Sequence, residues 1–92
     1  MTLPAESFAE LAAELARIAR DKAQAAEASE IMVATIEAQG EREAGAPVTH
    51  SGMRGAVASL KRRAVLAGRA ADMLRALAGH ESEIRRMLGG GG

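Results

Sequence analysis

From Ala5 to Gln39, apolar residues return every three or four positions and no glycine or proline interrupts them. That spacing is the period of a helix with one buried face, and the segment is built mainly from strong helix formers, Ala, Glu, Leu and Arg. Two rows repeat every seven residues: Phe8, Leu15, Lys22, Ser29, Ile36 and Leu11, Ile18, Ala25, Met32, Gln39. Both are large at one or both ends and small or polar in the middle. A second stripe, Ala12, Ala19, Ala26 and Val33, flanked by Ala9, Ala16 and Ala23, widens the apolar arc to about 160° at 100° per residue. The pattern predicts a first helix over 4–39. Pro4 is tolerated in its first turn, with Thr2 as N-cap or a capping box from Ser7 to Glu10 as the alternative start.

Residues 40–52 read as a turn, because Gly40, Gly45, Pro47, Ser51 and Gly52 fall close together. Gly40 suits the left-handed position that ends a helix, and Thr49 or Ser51 suits the N-cap of the next. A second helix is expected over 53–78, with a seam of Met53, Val57, Leu60, Ala64, Ala67, Ala71, Leu74 and Ala78, widened by Leu66, Met73 and Leu77. Gly79 suggests a break, followed by a short third helix over 81–88 that presents Ile84, Met87 and Leu88. Residues 89–92, all glycine, are expected to form a flexible tail.

The two seams match when the chain is folded about residue 45 or 46. Leu15 then opposes Leu74 or Leu77, Ile18 opposes Ala71 or Leu74, Met32 opposes Val57 or Leu60, and Ile36 opposes Met53 or Ala56, while Ala25 meets Ala64 or Ala67 at the waist. Large faces large at the ends and small faces small in the middle. The expected fold class is therefore all-α: one domain over 1–92 whose core is an antiparallel two-helix hairpin, coiled-coil-like with an Ala-rich seam.

Composition changes this picture in one respect. Half of the 44 apolar residues are alanine (22), and Phe8 is the only aromatic residue. Alanine buries little surface, and burial contributes roughly 25 cal/mol per Å², so a lone hairpin is marginal. Each helix also has more apolar arc than one neighbour covers. The hairpin is expected to self-associate into a helical bundle or to hold a partner protein helix, through Ala12, Ala19, Ala26 and Val33 on the first helix and Leu66, Met73 and Leu77 on the second. A small chaperone, an adaptor or an assembly subunit fits such an interaction module.

Net charge is zero but unevenly placed. Residues 1–45 hold nine acids and four bases, and residues 46–92 hold eight bases and three acids. An acidic helix beside a basic one is the plain reading. The alternative is a nucleic-acid-binding hairpin using Arg54, Lys61, Arg62, Arg63 and Arg69 against phosphates, although Lys61, Arg62 and Arg63 splay around the helix and no aromatic residue is placed to stack on bases.

No enzyme chemistry is expected. The chain has no cysteine, which excludes thiolate nucleophiles, disulfides and Cys-bound metals. His50 and His80 sit at opposite ends of the second helix, too far apart to share a metal. Lys22 and Ser29 read as a polar waist rather than a nucleophile pair, because seven residues of helix separate them by about 10 Å. No cofactor, metal or small-molecule substrate is anticipated. No apolar run reaches the ~18 residues a membrane span needs, and residues 1–9 lack a signal-peptide pattern. The default compartment is the cytoplasm, with signal-less secretion left open. The hairpin plan is shared by several families, among them secreted Trp-x-Gly hairpins, but this chain has no Trp and the turn's proline is the single Pro47. No family is assigned, and no site residue is carried over.

Overall fold

The computed structural model describes residues 3–89. It is an all-α rod measuring 67 × 19 × 17 Å, with helices α1 (Phe8–Ala44) and α2 (Ser51–Leu77), a 3₁₀ turn (Ala78–His80) and α3 (Glu81–Gly89). The helices α1 and α2 lie antiparallel along most of their length and make nearly all contacts between elements.

Helix α1 starts later and ends later than its sequence pattern suggests. Ser7 is the N-cap, its hydroxyl accepting from the backbone N–H of Glu10 at 3.1 Å, which is the capping-box start; Thr2 lies outside the described residues. The helix passes through Gly40 and stops at Gly45, which takes the left-handed conformation (φ 71°) and donates its N–H to the Glu41 carbonyl. A Cβ placed at Gly40 would lie 3.4 Å from Val48 Cγ1, at ordinary contact distance, so neither space nor backbone conformation calls for glycine there.

Helix α2 begins two residues before the expected start. Neither Thr49 nor Ser51 caps it: the N-cap is His50, whose side chain makes no capping bond. The 3₁₀ turn at Ala78–His80 bends the chain at the expected break. Helix α3 then prolongs the rod, and Gly89 closes it rather than opening a tail; residues 90–92 lie outside the described residues.

The register agrees with a fold about residue 45 or 46. Glu30 Oε2 lies 2.7 Å from Lys61 Nζ, and Glu37 pairs with Arg54. Nearer the open end the pairing departs from that fold by about three residues: a Cβ on Gly68 would stand 3.9 Å from Ala19 Cβ. The phase of α1 differs from the sequence expectation. Its row of Phe8, Leu15, Lys22 and Ser29 is buried or half-buried as expected, with Ile36 exposed at its end; the second row of the seam is Ala12, Ala19, Ala26 and Val33, while of the expected row Leu11 and Ile18 are half-buried and Ala25, Met32 and Gln39 are exposed. Ala26 is 2% exposed, while its neighbour Ala25 is open to solvent and Met32 is 62% exposed. The seam of α2 is the expected one, with Val57 and Ala71 buried and Leu60, Ala64, Ala67, Leu74 and Ala78 half-buried; Met53 at its end is exposed.

Candidate interaction surface

Two carboxylates fix how the helices face each other. Glu37, on the third-last turn of α1, is 7% exposed. Its Oε2 accepts from the backbone N–H of His50 at 2.8 Å, and the same carboxylate holds the Arg54 guanidinium. A helix N-terminus leaves N–H groups without partners inside the helix and carries positive partial charge, so Glu37 caps α2 from across the hairpin. That explains why no side chain of the turn itself is needed as a cap. The Arg54 side chain first, and the His50 N–H second, hold the Glu37 carboxyl below the usual carboxylate range; Arg54 is correspondingly raised by Glu37.

The opposite end has the same device. Glu81, at the start of α3, accepts from the backbone N–H of Phe8 at 2.7 Å and from Arg85 Nε at 2.8 Å. Arg85 in turn donates to the carbonyls of Pro4 and Glu6 at 2.8 and 2.6 Å, and its guanidinium stands 5.5 Å from the Phe8 ring centroid. Arg85 first and the Phe8 N–H second hold the Glu81 carboxyl below its ordinary range. Each end of α1 is thus tied by a carboxylate and an arginine.

These ties leave the hairpin with two unlike edges. Glu30 and Glu37 sit seven residues apart on α1, and Arg54 and Lys61 seven apart on α2, so both ion pairs line one edge of the seam. Lys61 holds the Glu30 carboxyl below its usual range. Across an antiparallel seam, positions that follow the seam on both helices share one edge and positions that precede it share the other. The preceding row on α1 is Leu11, Ile18, Ala25 and Met32; on α2 it is Ala56, Arg63, Ala70 and Leu77, with Leu66 and Met73 beside it. Leu66 is 55% exposed and Met73 66%, and Ile36, Met53 and Leu77 are also exposed. One edge therefore carries the ion pairs, with Val65 exposed one turn from Lys61, and the other, apart from Arg63, carries most of the exposed apolar residues.

The residues expected at a partner interface divide accordingly. Leu66, Met73 and Leu77 lie on the open edge. Ala12, Ala26 and Val33 are buried and Ala19 is half-buried between α1 and α2 of one chain, so they serve the hairpin's own seam and offer nothing to a second chain. On α1 the residues left exposed on that side are Met32 and Ile36, with Leu11 and Ile18 half-buried. Neither does α3 fold back over this edge; Met87 and Leu88 are themselves exposed.

Of the cations considered for nucleic acid, Arg54 and Lys61 are engaged by Glu37 and Glu30. Arg62, Arg63 and Arg69 are exposed and form no ion pair among the described residues. His50 and His80 flank α2 at its two ends, and no group of three or more metal-binding side chains occurs among the described residues. A shallow cleft of about 120 Å³ lies on the charged edge, lined by Glu30, Val33, Arg54, Val57, Ala58 and Lys61; sites for organic ligands usually run to 300–1,000 Å³. No helix among the described residues is long and apolar enough to cross a membrane. Comparison with known protein families, with curated proteins and with solved structures finds no match to this chain.

Proposed function

We propose that the chain is a non-enzymatic protein–protein interaction module, a helical hairpin that presents its apolar edge to another helical surface, as a small chaperone, adaptor or assembly subunit does. The observation that carries this reading is the uneven spread of exposed apolar residues: Met32, Ile36, Met53, Leu66, Met73 and Leu77 remain uncovered on or beside the edge opposite the ion pairs, against Val65 near Lys61 and Ile31 on the outer face of α1. Contiguous exposed apolar surface bordered by polar groups marks a contact surface in a soluble chain. The small residues Ala25, Ala56 and Ala70 along the same edge let an incoming helix approach closely.

The test is to compare binding by the wild-type chain with binding by Leu66→Glu and Met73→Glu, counting both other proteins and the chain itself as partners. The reading expects association to be lost in both variants while circular dichroism keeps its helical signal. Association unchanged in both folded variants removes the apolar edge from consideration.

The alternative, a nucleic-acid-binding hairpin, draws on Arg62, Arg63 and Arg69, and it is weakened by the engagement of Arg54 and Lys61 with acidic side chains of α1. It expects retardation of DNA or RNA at low salt that falls steeply as salt rises, and its absence dismisses that reading.

A further inference from the structure

We propose that the apolar edge is covered by a second copy of this chain, related by a two-fold axis along the rod, so that α1 of each copy lies on α2 of the other and both turns stand at the same end. The inference rests on the interaction-module reading and names its partner.

Charge selects the pairing of helices. The half of the chain carrying α1 has nine acids to four bases, and the half carrying α2 and α3 has eight bases to three acids. Within one copy this difference is settled on the charged edge, through Glu30–Lys61 and Glu37–Arg54. On the other edge it is not. There α1 is bordered by Glu14 and Asp21, which share the single cation Arg17, whereas α2 is bordered by Arg62, Arg63 and Arg69 without ion-pair partners among the described residues. Face-to-face stacking of two hairpins allows two symmetric arrangements. A two-fold across the rod lays α1 on α1 and the basic α2 on α2, juxtaposing like charges. A two-fold along the rod lays each acidic α1 on a basic α2, antiparallel to it.

Levels along the rod agree with the second arrangement. Rotation about the long axis keeps every residue at its own height, and the approach of Ala19 to Gly68 sets Asp21 within about one helical turn of Arg69. Asp21 of one copy then meets Arg69 of the other at the rim. By the same rule Ile18 comes within about one turn of Met73 and Leu66 within about one turn of Ala25, while Ile36 lies level with Ala56 near the turn. Arg63 interrupts the apolar row level with Ala28; its aliphatic stem covers that small residue while its charge reaches the rim. The area suffices. A face of 67 × 19 Å projects on the order of 1,300 Å², and a stable interface needs about 800 Å² per partner.

The experiment combines mass with orientation. Sedimentation equilibrium of the whole chain should give twice the 9.5 kDa monomer mass, falling to the monomer in Leu66→Glu and in Met73→Glu with helicity retained. The two variants guard against one of them misfolding. Because the chain has no cysteine, an Ala46→Cys substitution at the exposed turn carries a single spin label. Two helical layers, each about 10–12 Å thick, should place the two labels within about 30 Å. A dimer with labels separated by a distance near the rod length overturns the two-fold along the rod. A chain that stays monomeric at 100 μM (roughly the weak limit for a specific contact) overturns the second copy as partner. If that monomer still binds another protein through Leu66 and Met73, the interaction-module reading stands and this inference alone fails.

Discussion

Replacing Ala26 with leucine should destabilise the hairpin by about 1–3 kcal/mol, the usual cost of forcing extra methylenes into a closed seam, whereas the same replacement at Ala25 should lie within about 0.5 kcal/mol of wild type, as surface substitutions do. The two alanines are neighbours and differ only in facing: Ala26 is buried against α2 and Ala25 points out. Alanine and leucine have similar helix propensity, so the difference between the variants isolates packing. For a chain of this size 1 kcal/mol moves the melting temperature by about 4–8 °C, which puts a mid-range loss of about 2 kcal/mol at about 8–16 °C. The assay is thermal melting followed by helical circular dichroism, at one low concentration shared by all variants so that self-association does not enter the comparison. Equal losses, or a larger loss at Ala25, would refute the seam described here and restore the row of Leu11, Ile18, Ala25 and Met32.

The glycines of the turn give opposite signs. Gly40→Ala should stabilise by up to about 1 kcal/mol, because it removes a glycine from a helix interior and its Cβ meets Val48 at an ordinary 3.4 Å, whereas Gly45→Ala should cost about 1–2 kcal/mol at φ 71° although nothing crowds the site; urea unfolding reads both. Acid should loosen the molecule through Glu14, Glu30, Glu37 and Glu81, whose carboxyls are all held below their ordinary range. A depressed folded value means that the stabilisation is fully present above the ordinary Glu value of about 4.3 and is lost as pH falls through the lower, folded value. Glu37→Gln should therefore melt below wild type at pH 7, with the gap closing towards pH 2; a gap that stays constant would show that the Glu37 charge contributes nothing.

Much of the fold is legible in the chain, for reasons that particular residues make plain. The uninterrupted run from Ala5 to Gln39 calls for a helix, the cluster of glycines and Pro47 calls for a turn, and the matching of large with large and small with small sets an antiparallel register that the Glu30–Lys61 and Glu37–Arg54 pairs obey. The rotation of α1 about its axis is not legible from apolar pattern. Alanines fill both candidate rows, so Ala25 and Ala26, or Leu11 and Ala12, serve a periodicity argument equally well. What decides between them is polar: Glu37 must face His50 and Arg54 to cap α2, and Glu81 must reach Phe8. A buried glutamate is invisible to a search for apolar stripes, and the Glu81–Phe8 bond joins residues 73 positions apart. A usable signal did exist in Glu30, Glu37, Arg54 and Lys61, two like pairs at seven-residue spacing whose charges match at the expected register. The end of α1 misleads as well, since Gly40 looks like a helix stop but sits within the helix, and the left-handed stop is Gly45. Of the interface residues read from sequence, those on α2 stand open and those on α1 do not, because Ala12, Ala26 and Val33 turn inward on α1 where Ala25 and Met32 turn out.

The most direct test of the hairpin and its facing is a disulfide between Ala19→Cys and Gly68→Cys in one chain. A Cβ at Gly68 would lie 3.9 Å from that of Ala19, close to the mean separation of about 3.8 Å in natural disulfides, and the native chain has no cysteine to compete. Mild oxidation should close this bridge within each chain, giving a monomer that migrates faster on a non-reducing gel and melts higher than its reduced form, while an Ile18→Cys and Gly68→Cys pair, at nearly the same height but in the other row, should close far less readily. Closure of the Ile18 pair instead, or bridges formed only between chains, would contradict the account.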